Sequence, residues 1–282
     1  MTNAIEVKNI SMRFKDVYAL RDISVRFEEN RIYGLLGRNG AGKTTLLNLI
    51  DNRLFSTGGA VYIDGLAAKE NDRALSKVYF MADTQLIPDD MKVKDLFKTT
   101  QCFYPGFDMS YALRLADEYQ LNTKKKLRAL STGYKTIAKL ICTLATDAKY
   151  LLLDEPVLGL DANHRDKFYR DLLENYGASP RTIIISTHLI EEVSSIIEQV
   201  VIIKNGTILL DKPTEEVQQM GYSVSGSAAD IEHYCADKNI LSMQSLGGLK
   251  TACVLGKAEV PDARLQYTEL DLQQLFIHLT NQ

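Results

Sequence analysis

The chain has 282 residues, 45% of them hydrophobic and 24% charged, the balance of a water-soluble protein long enough to bury a sizeable core. A formal net charge of −3 and an isoelectric point near 5.9 exclude a global basic field for nucleic acid or an anionic membrane. Apolar runs such as Leu151-Leu152-Leu153 fall far short of the roughly 18 residues a membrane span needs, the first residues show no leader pattern, and Cys102, Cys142, Cys235 and Cys253 share no CxxC spacing, so a cytosolic protein without metal clusters or disulfides is expected.

Short strands are predicted over 4–10 and 23–27, where apolar and polar residues alternate, and over 31–36, which is more continuously apolar. The period becomes helical over 43–54, with Leu46, Leu47, Leu49 and Ile50 on one broad face. From about 88 to 145 strand signals vanish and helices are predicted at 110–119 and 134–144. Two apolar strands, 150–153 and 182–186, then flank a helical stretch at 163–175, the rhythm of an α/β sheet with helices on its faces. A helix at 189–197 and a hairpin turning at Asn205-Gly206 follow. After about Gln219 short apolar runs and a last helix at 271–279 suggest a small α+β appendage. The expected division is therefore 1–218, with a helical subdomain at about 88–145, and 219–282.

Gly37-Arg38-Asn39-Gly40-Ala41-Gly42-Lys43-Thr44 fits GxxxxGK[ST] between a predicted strand and a predicted helix. That context marks a P-loop, whose inward N–H groups and helix N-terminus cradle phosphates. Asn39, Gly40, Ala41, Gly42, Lys43, Thr44 and Thr45 are the candidate ATP-binding residues. Lys43 would reach the β- and γ-phosphates, and the Thr44 hydroxyl would coordinate Mg²⁺. A dinucleotide site is disfavoured because GxGxxG is absent. Downstream, Asp154 and Glu155 end an apolar strand, at the edge of a parallel sheet where ligands bind. Asp154 is the candidate metal ligand beside Thr44, and Glu155 the candidate base for the attacking water. The run Lys124-Lys125-Lys126-Leu127-Arg128 lacks interleaved aromatics and reads as a solvated face, so no nucleic-acid partner is expected.

With Leu130-Ser131-Thr132-Gly133-Tyr134 between these two elements, the sequence resembles the nucleotide-binding subunit of an ABC (ATP-binding cassette) transporter. The pentapeptide stands where the family carries its LSGGQ signature. Leu158-Gly159-Leu160-Asp161 resembles the D-loop, Ser186-Thr187-His188 the switch histidine, and Phe14 the adenine-stacking A-loop aromatic, with Tyr18 as the fallback. The resemblance covers residues 5 to about 218 and implies an α/β P-loop ATPase cassette, a mixed sheet with flanking helices and a helical subdomain.

The resemblance further implies two cassettes, identical or paralogous, closing head to tail on ATP and Mg²⁺. Ser131, Thr132 and Gly133 would then face the partner's γ-phosphate, His188 would contact the γ-phosphate in cis, and Asp161 would couple the sites. Two departures stand out. Thr132 and Tyr134 replace a glycine and a glutamine of the signature, and Asp83 occupies the Q-loop glutamine position, with Gln85 two residues later. Asp83 is a further candidate for Mg²⁺ or water. The Q-loop departure resembles the branch serving drug, bacteriocin-immunity and antimicrobial-peptide exporters with separately encoded permeases, and the Gly-Leu-Asp D-loop points the same way. The function implied is an ATPase subunit, peripheral on the cytoplasmic side of the cell membrane, driving export of a drug, lipid or amphipathic peptide through a separate multi-span permease. The alternative is a cytosolic ABC ATPase acting on a soluble assembly scaffold.

Overall fold

A computed structural model describes residues 3–82, 87–258 and 264–281. The chain begins with β1 (Ala4–Phe14), β2 (Val17–Glu28), β3 (Ile32–Leu36), α1 (Lys43–Ile50), β4 (Gly58–Ile63), β5 (Leu66–Ala67), α2 (Asp72–Leu75) and β6 (Val78–Met81). Three helices follow, α3 (Val93–Phe103), α4 (Met109–Glu118) and α5 (Thr132–Ala145). Then come β7 (Tyr150–Asp154), α6 (Ala162–Ala178), β8 (Thr182–Thr187), α7 (Ile190–Val193), β9 (Gln199–Lys204), β10 (Thr207–Pro213) and α8 (Thr214–Gln218). The last elements are β11 (Gly221–Ser227), α9 (Ala228–Tyr234), β12 (Asn239–Leu246), β13 (Leu249–Leu255), β14 (Gln266–Glu269) and α10 (Leu272–Asn281).

Three sheets result. β2-β1-β4-β5 is antiparallel, and β10-β9-β3-β8-β7-β6 is parallel except for its β10 edge. Every residue of β3, β7 and β8 is buried, the signature of strands covered on both faces. Between β6 and β7 the chain builds a helical layer held by Leu96, Phe97, Leu115, Ile137 and Ile141. Its strand content among the described residues is one isolated bridge, Lys92 to Lys126. Two cations of the basic run, Lys126 and Arg128, both reach Asp90, at 3.4 and 2.9 Å.

Two helices are shorter than their periodicity predicts. α1 ends at Ile50 because Asn52 turns left-handed (φ 57°), and Asn52 N and Arg53 N bond back to Leu49 O and Asn48 O, closing the helix with a Schellman motif. α7 is a single turn, after which the chain continues irregularly and buries Ile196 and Ile197. After residue 220, the third sheet, β12-β13-β11-β14, buries Tyr222, Val224, Ala252 and Val254 with Ile231 of α9. Its final helix touches β12 but turns its apolar face to another core. Leu272, Leu275 and Phe276 of α10 join the core that includes Ile190 and Val193 of α7.

One of the ties between the first two sheets is a carboxylate. Asp64, in the left-handed turn between β4 and β5, accepts from Lys77 (2.6 Å), Lys149 (2.9 Å) and the Tyr150 hydroxyl. Burial alone pushes this acid up, but the three donors together outweigh it and hold it at about 2, below the ordinary 3.8. A carboxyl held lower in the fold than in the unfolded chain stabilises above pH 3.8, and that contribution is lost as pH falls toward about 2. Asp64→Ala, which strands two ammonium groups and a phenol, should cost about 1–3 kcal/mol in urea unfolding at pH 7. The gap from wild type should narrow in the acid window. A pH-independent gap would show that the charge is not responsible.

Candidate functional site

Strand register builds the site. β7 and β8 are aligned so that Asp154 pairs with Ser186, and β3 and β8 so that Leu36 pairs with Thr187. The P-loop, the acid pair and the segment before His188 therefore leave the sheet along one edge, where parallel strands present their carboxyl ends. Between β3 and α1 the loop wraps a cavity of about 330 Å³ lined by residues 38–45 with Ala19 and Glu155. Gly42 is required there. Its φ is 114°, and a Cβ would lie 2.6 Å from the Leu20 side chain and 2.8 Å from Ala19 O. Lys43 is buried and donates to Gly37 O at 2.7 Å. Burial lowers its pKa, opposed by the carboxylates of Glu155 and Asp154.

Asp154 is 2% exposed. It accepts from the Thr44 hydroxyl at 2.7 Å on one oxygen and from Ser186 at 2.8 Å on the other. Burial raises its pKa despite those two donors. Among the described residues no group of three or more His, Cys, Asp or Glu side chains clusters for a metal. A hydroxyl and a carboxylate side by side at the foot of a phosphate cradle instead fit Mg²⁺, which takes oxygen ligands and completes its shell with phosphate and water.

Glu155 has φ 48°, left-handed backbone that a non-glycine residue adopts at a cost. Its N–H donates to Ser186 O at 2.8 Å. One carboxylate oxygen meets His188 Nδ1 at 2.9 Å, and the other accepts from Thr187 at 3.3 Å. Glu155 and His188 are thus brought together, with the imidazole side chain 45% exposed at the rim.

Ser131 caps α5, accepting from Tyr134 N at 3.3 Å, and lies outside the phosphate cavity. The start of α5 rests on the loop before α6. A Cβ on Gly133 would lie 3.0 Å from Gly159 O, and Thr136 donates to Leu158 O at 3.2 Å. Asp161 caps α6, accepting from His164 N at 3.0 Å and meeting His164 Nδ1 at 2.8 Å. The backbone donor chiefly lowers its pKa, with the ring next.

Phe14 is 47% exposed at the tip of the β1–β2 hairpin and does not line the phosphate cavity. Tyr18, 42% exposed, lies between the guanidinium groups of Arg13 and Arg21. Neither packs in the core. Asp83 and Gln85 lie outside the described residues. Ser186, Thr187 and Ala19 were not among the candidates. The first two adjoin His188 in sequence, the signal that would have found them. Ala19 carries none.

Thr132 of the signature and Gly159 of the D-loop-like segment meet in space. Gly159 has φ 82°, and a Cβ there would come 3.1 Å from the Thr132 methyl. Gly159→Ala should lower stability by roughly 1–3 kcal/mol from the left-handed backbone and this contact. Adding Thr132→Gly should recover part of that loss in thermal melts. No recovery would mean that the contact is immaterial.

Residues 20–158 match the family model described as "ABC transporter". The chain is 28% identical over 254 residues to the ABC transporter ATP-binding protein YtrB of Bacillus subtilis (strain 168), covering 89% of this chain and 86% of that one. It is 28% identical over 228 residues to the petrobactin import ATP-binding protein YclP of the same strain (76% and 88% covered). It is 25% identical over 210 residues to the lantibiotic transport ATP-binding protein SrtF of Streptococcus pyogenes (74% and 90%). A solved ATP-binding cassette, dimeric and bound to ADP and Pi in a post-hydrolysis state, superposes with TM-score 0.67 at 22% identity, covering 74% of this chain and 98% of that one. The chain belongs to the ABC transporter family as one of its ATP-binding subunits, which are ATP hydrolases.

Proposed function

We propose that this chain is the ATPase subunit of an exporter and works as one of two cassettes closed head to tail on ATP. The observation that carries the chemistry is the convergence of Thr44, Asp154, Glu155 and His188 on the mouth of the P-loop. The Lys43 ammonium would turn from Gly37 O to the β- and γ-phosphates, which return the counter-charge that burial denies it. Thr44 and Asp154 would hold Mg²⁺, which when bound neutralises charge on the phosphates. Glu155 would orient the attacking water and accept its proton. Ser131 and the Gly133 N–H, at the positive end of α5, would face the γ-phosphate of the partner cassette, and Asp161 would stand at the same interface.

The Glu155–His188 pair also sets a requirement. A neutral imidazole that donates from Nδ1 to Glu155 has only a lone pair at Nε2. To donate to a γ-phosphate through Nε2, His188 must carry a second proton or release the acid. Release would free Glu155 at the moment the cassette closes, coupling the base to closure.

Among the described residues no helix is long and apolar enough to cross a membrane, so transport would need a separate permease. Its dock would be the groove of about 360 Å³ walled by β6, α3 and α5, where Phe103 is 74% exposed. Asp51, paired with Arg53 at 2.6 Å, lies in its wall, its carboxyl pushed up by burial to about 6 despite the guanidinium. Relatives are named for import and for lantibiotic transport, and export is favoured by the Gly-Leu-Asp D-loop and by Asp83 at the Q-loop position. The cytoplasmic membrane face would then be its place of work, and residues 219–282 an accessory unit.

Glu155→Gln should bind ATP, accumulate as a closed dimer and lose at least about 100-fold in turnover. Size-exclusion chromatography with ATP and a phosphate-release assay would read both, and unchanged turnover would remove Glu155 from the role. From its native membrane the chain should co-purify with a multi-span permease. Recovery instead with a soluble scaffold would favour an assembly ATPase.

A further inference from the structure

A further cleft, of about 420 Å³, is lined by His188. Residues 188–192 form one wall, and Gln273, Phe276 and Ile277 of α10 form the other. The inward stripe of α10 (Leu272, Leu275 and Phe276) is at most 8% exposed and shares a core with Ile190 and Val193. α7 is only four residues long and has no side-chain cap. One turn cannot hold its own conformation, because helix nucleation is unfavourable, so its position is set by what it packs against. Arg165 of α6 pairs with Glu192 on one side, and α10 supplies the other.

α10 is itself fastened at two further points. Lys204 Nζ donates to Leu279 O at 3.2 Å, in the last turn, where carbonyls lack helical partners and a cation suits the helix dipole. Lys204 ends β9, and two residues on Gly206 N donates to Ala41 O of the P-loop at 3.0 Å. Towards the third sheet, Ser242 of β12 donates to Gln274 at 3.2 Å. The helix thus touches the switch segment, the hairpin that braces the P-loop, and the C-terminal sheet.

We infer that Phe276 is a positioning residue for His188, with α10 as the backing against which the switch segment is set. The inference rests on the reading of His188 given above. Phe276 meets neither phosphate nor water. It packs in the core shared with Ile190 and Val193 and lines the cleft facing residues 188–190, so without it the one-turn helix loses part of the surface that sets the segment carrying the imidazole. Through Gln274, the residues after 220 reach the chemistry by the same helix.

A double-mutant cycle on the full-length chain tests this by steady-state ATP turnover. Phe276→Ala should lower kcat about tenfold through misplacement of His188 while KM for ATP holds, and Phe276→Leu should restore most of the rate. In a His188→Ala background, Phe276→Ala should add almost nothing, because the group it positions is gone. Phe276→Val, a smaller truncation, repeats the cycle if the alanine variant does not fold. An unchanged kcat, a loss carried by KM, or an equal loss in both backgrounds overturns the proposal. Unchanged turnover in His188→Ala overturns the reading of the site and the proposal with it. Loss in His188→Ala with none in Phe276→Ala overturns the proposal alone.

Discussion

The parallel register of β3, β7 and β8 is the constraint from which the site follows. Thr44 and Asp154 are 110 residues apart in sequence and 2.7 Å apart in space because those strands end level with one another. A slip of one residue would turn Asp154 to the other face of the sheet and dissolve the contact. Fully buried apolar strands make such a slip costly, so the same packing that stabilises the fold also fixes the chemistry.

Within that frame the site is short of counter-charge. Burial drives Lys43 towards its neutral amine and Asp154 towards its neutral acid. Opposite groups pushed in opposite directions describe a place where further charge is welcome. A polyanion beside Lys43 and a divalent cation beside Asp154 would each oppose the effect of burial, which suits ATP with Mg²⁺. The left-handed Glu155 belongs to the same economy, since its strained backbone holds the carboxylate against His188 and Thr187.

Much of this was legible in the sequence because it is local. A glycine-rich loop between strand and helix, and acids ending an apolar strand, are patterns that neighbouring residues set by themselves. The parts that escaped depend on distant contacts. Nothing in 43–54 announces that Asn52 will turn left-handed and stop α1. The shortness of α7 follows from burying Ile196 and Ile197, and the docking of α10 on the switch segment joins elements some 80 residues apart. Ser186 and Thr187 were in plain view, but their tasks became visible only once Asp154 and Glu155 were placed beside them. Phe14 is suggested by its position alone, and its ring stands exposed at a hairpin tip.

The fit of Thr132 against Gly159 changes how the unusual signature should be regarded. Taken singly, Thr132 looks like drift away from a family pattern. In space it lies where Gly159 leaves room: both are exposed, and a Cβ on Gly159 would come 3.1 Å from the Thr132 methyl. A larger residue at 159 would press on the start of α5 as long as threonine stands at 132. A change at either position is therefore felt at the other, although 26 residues of chain lie between them.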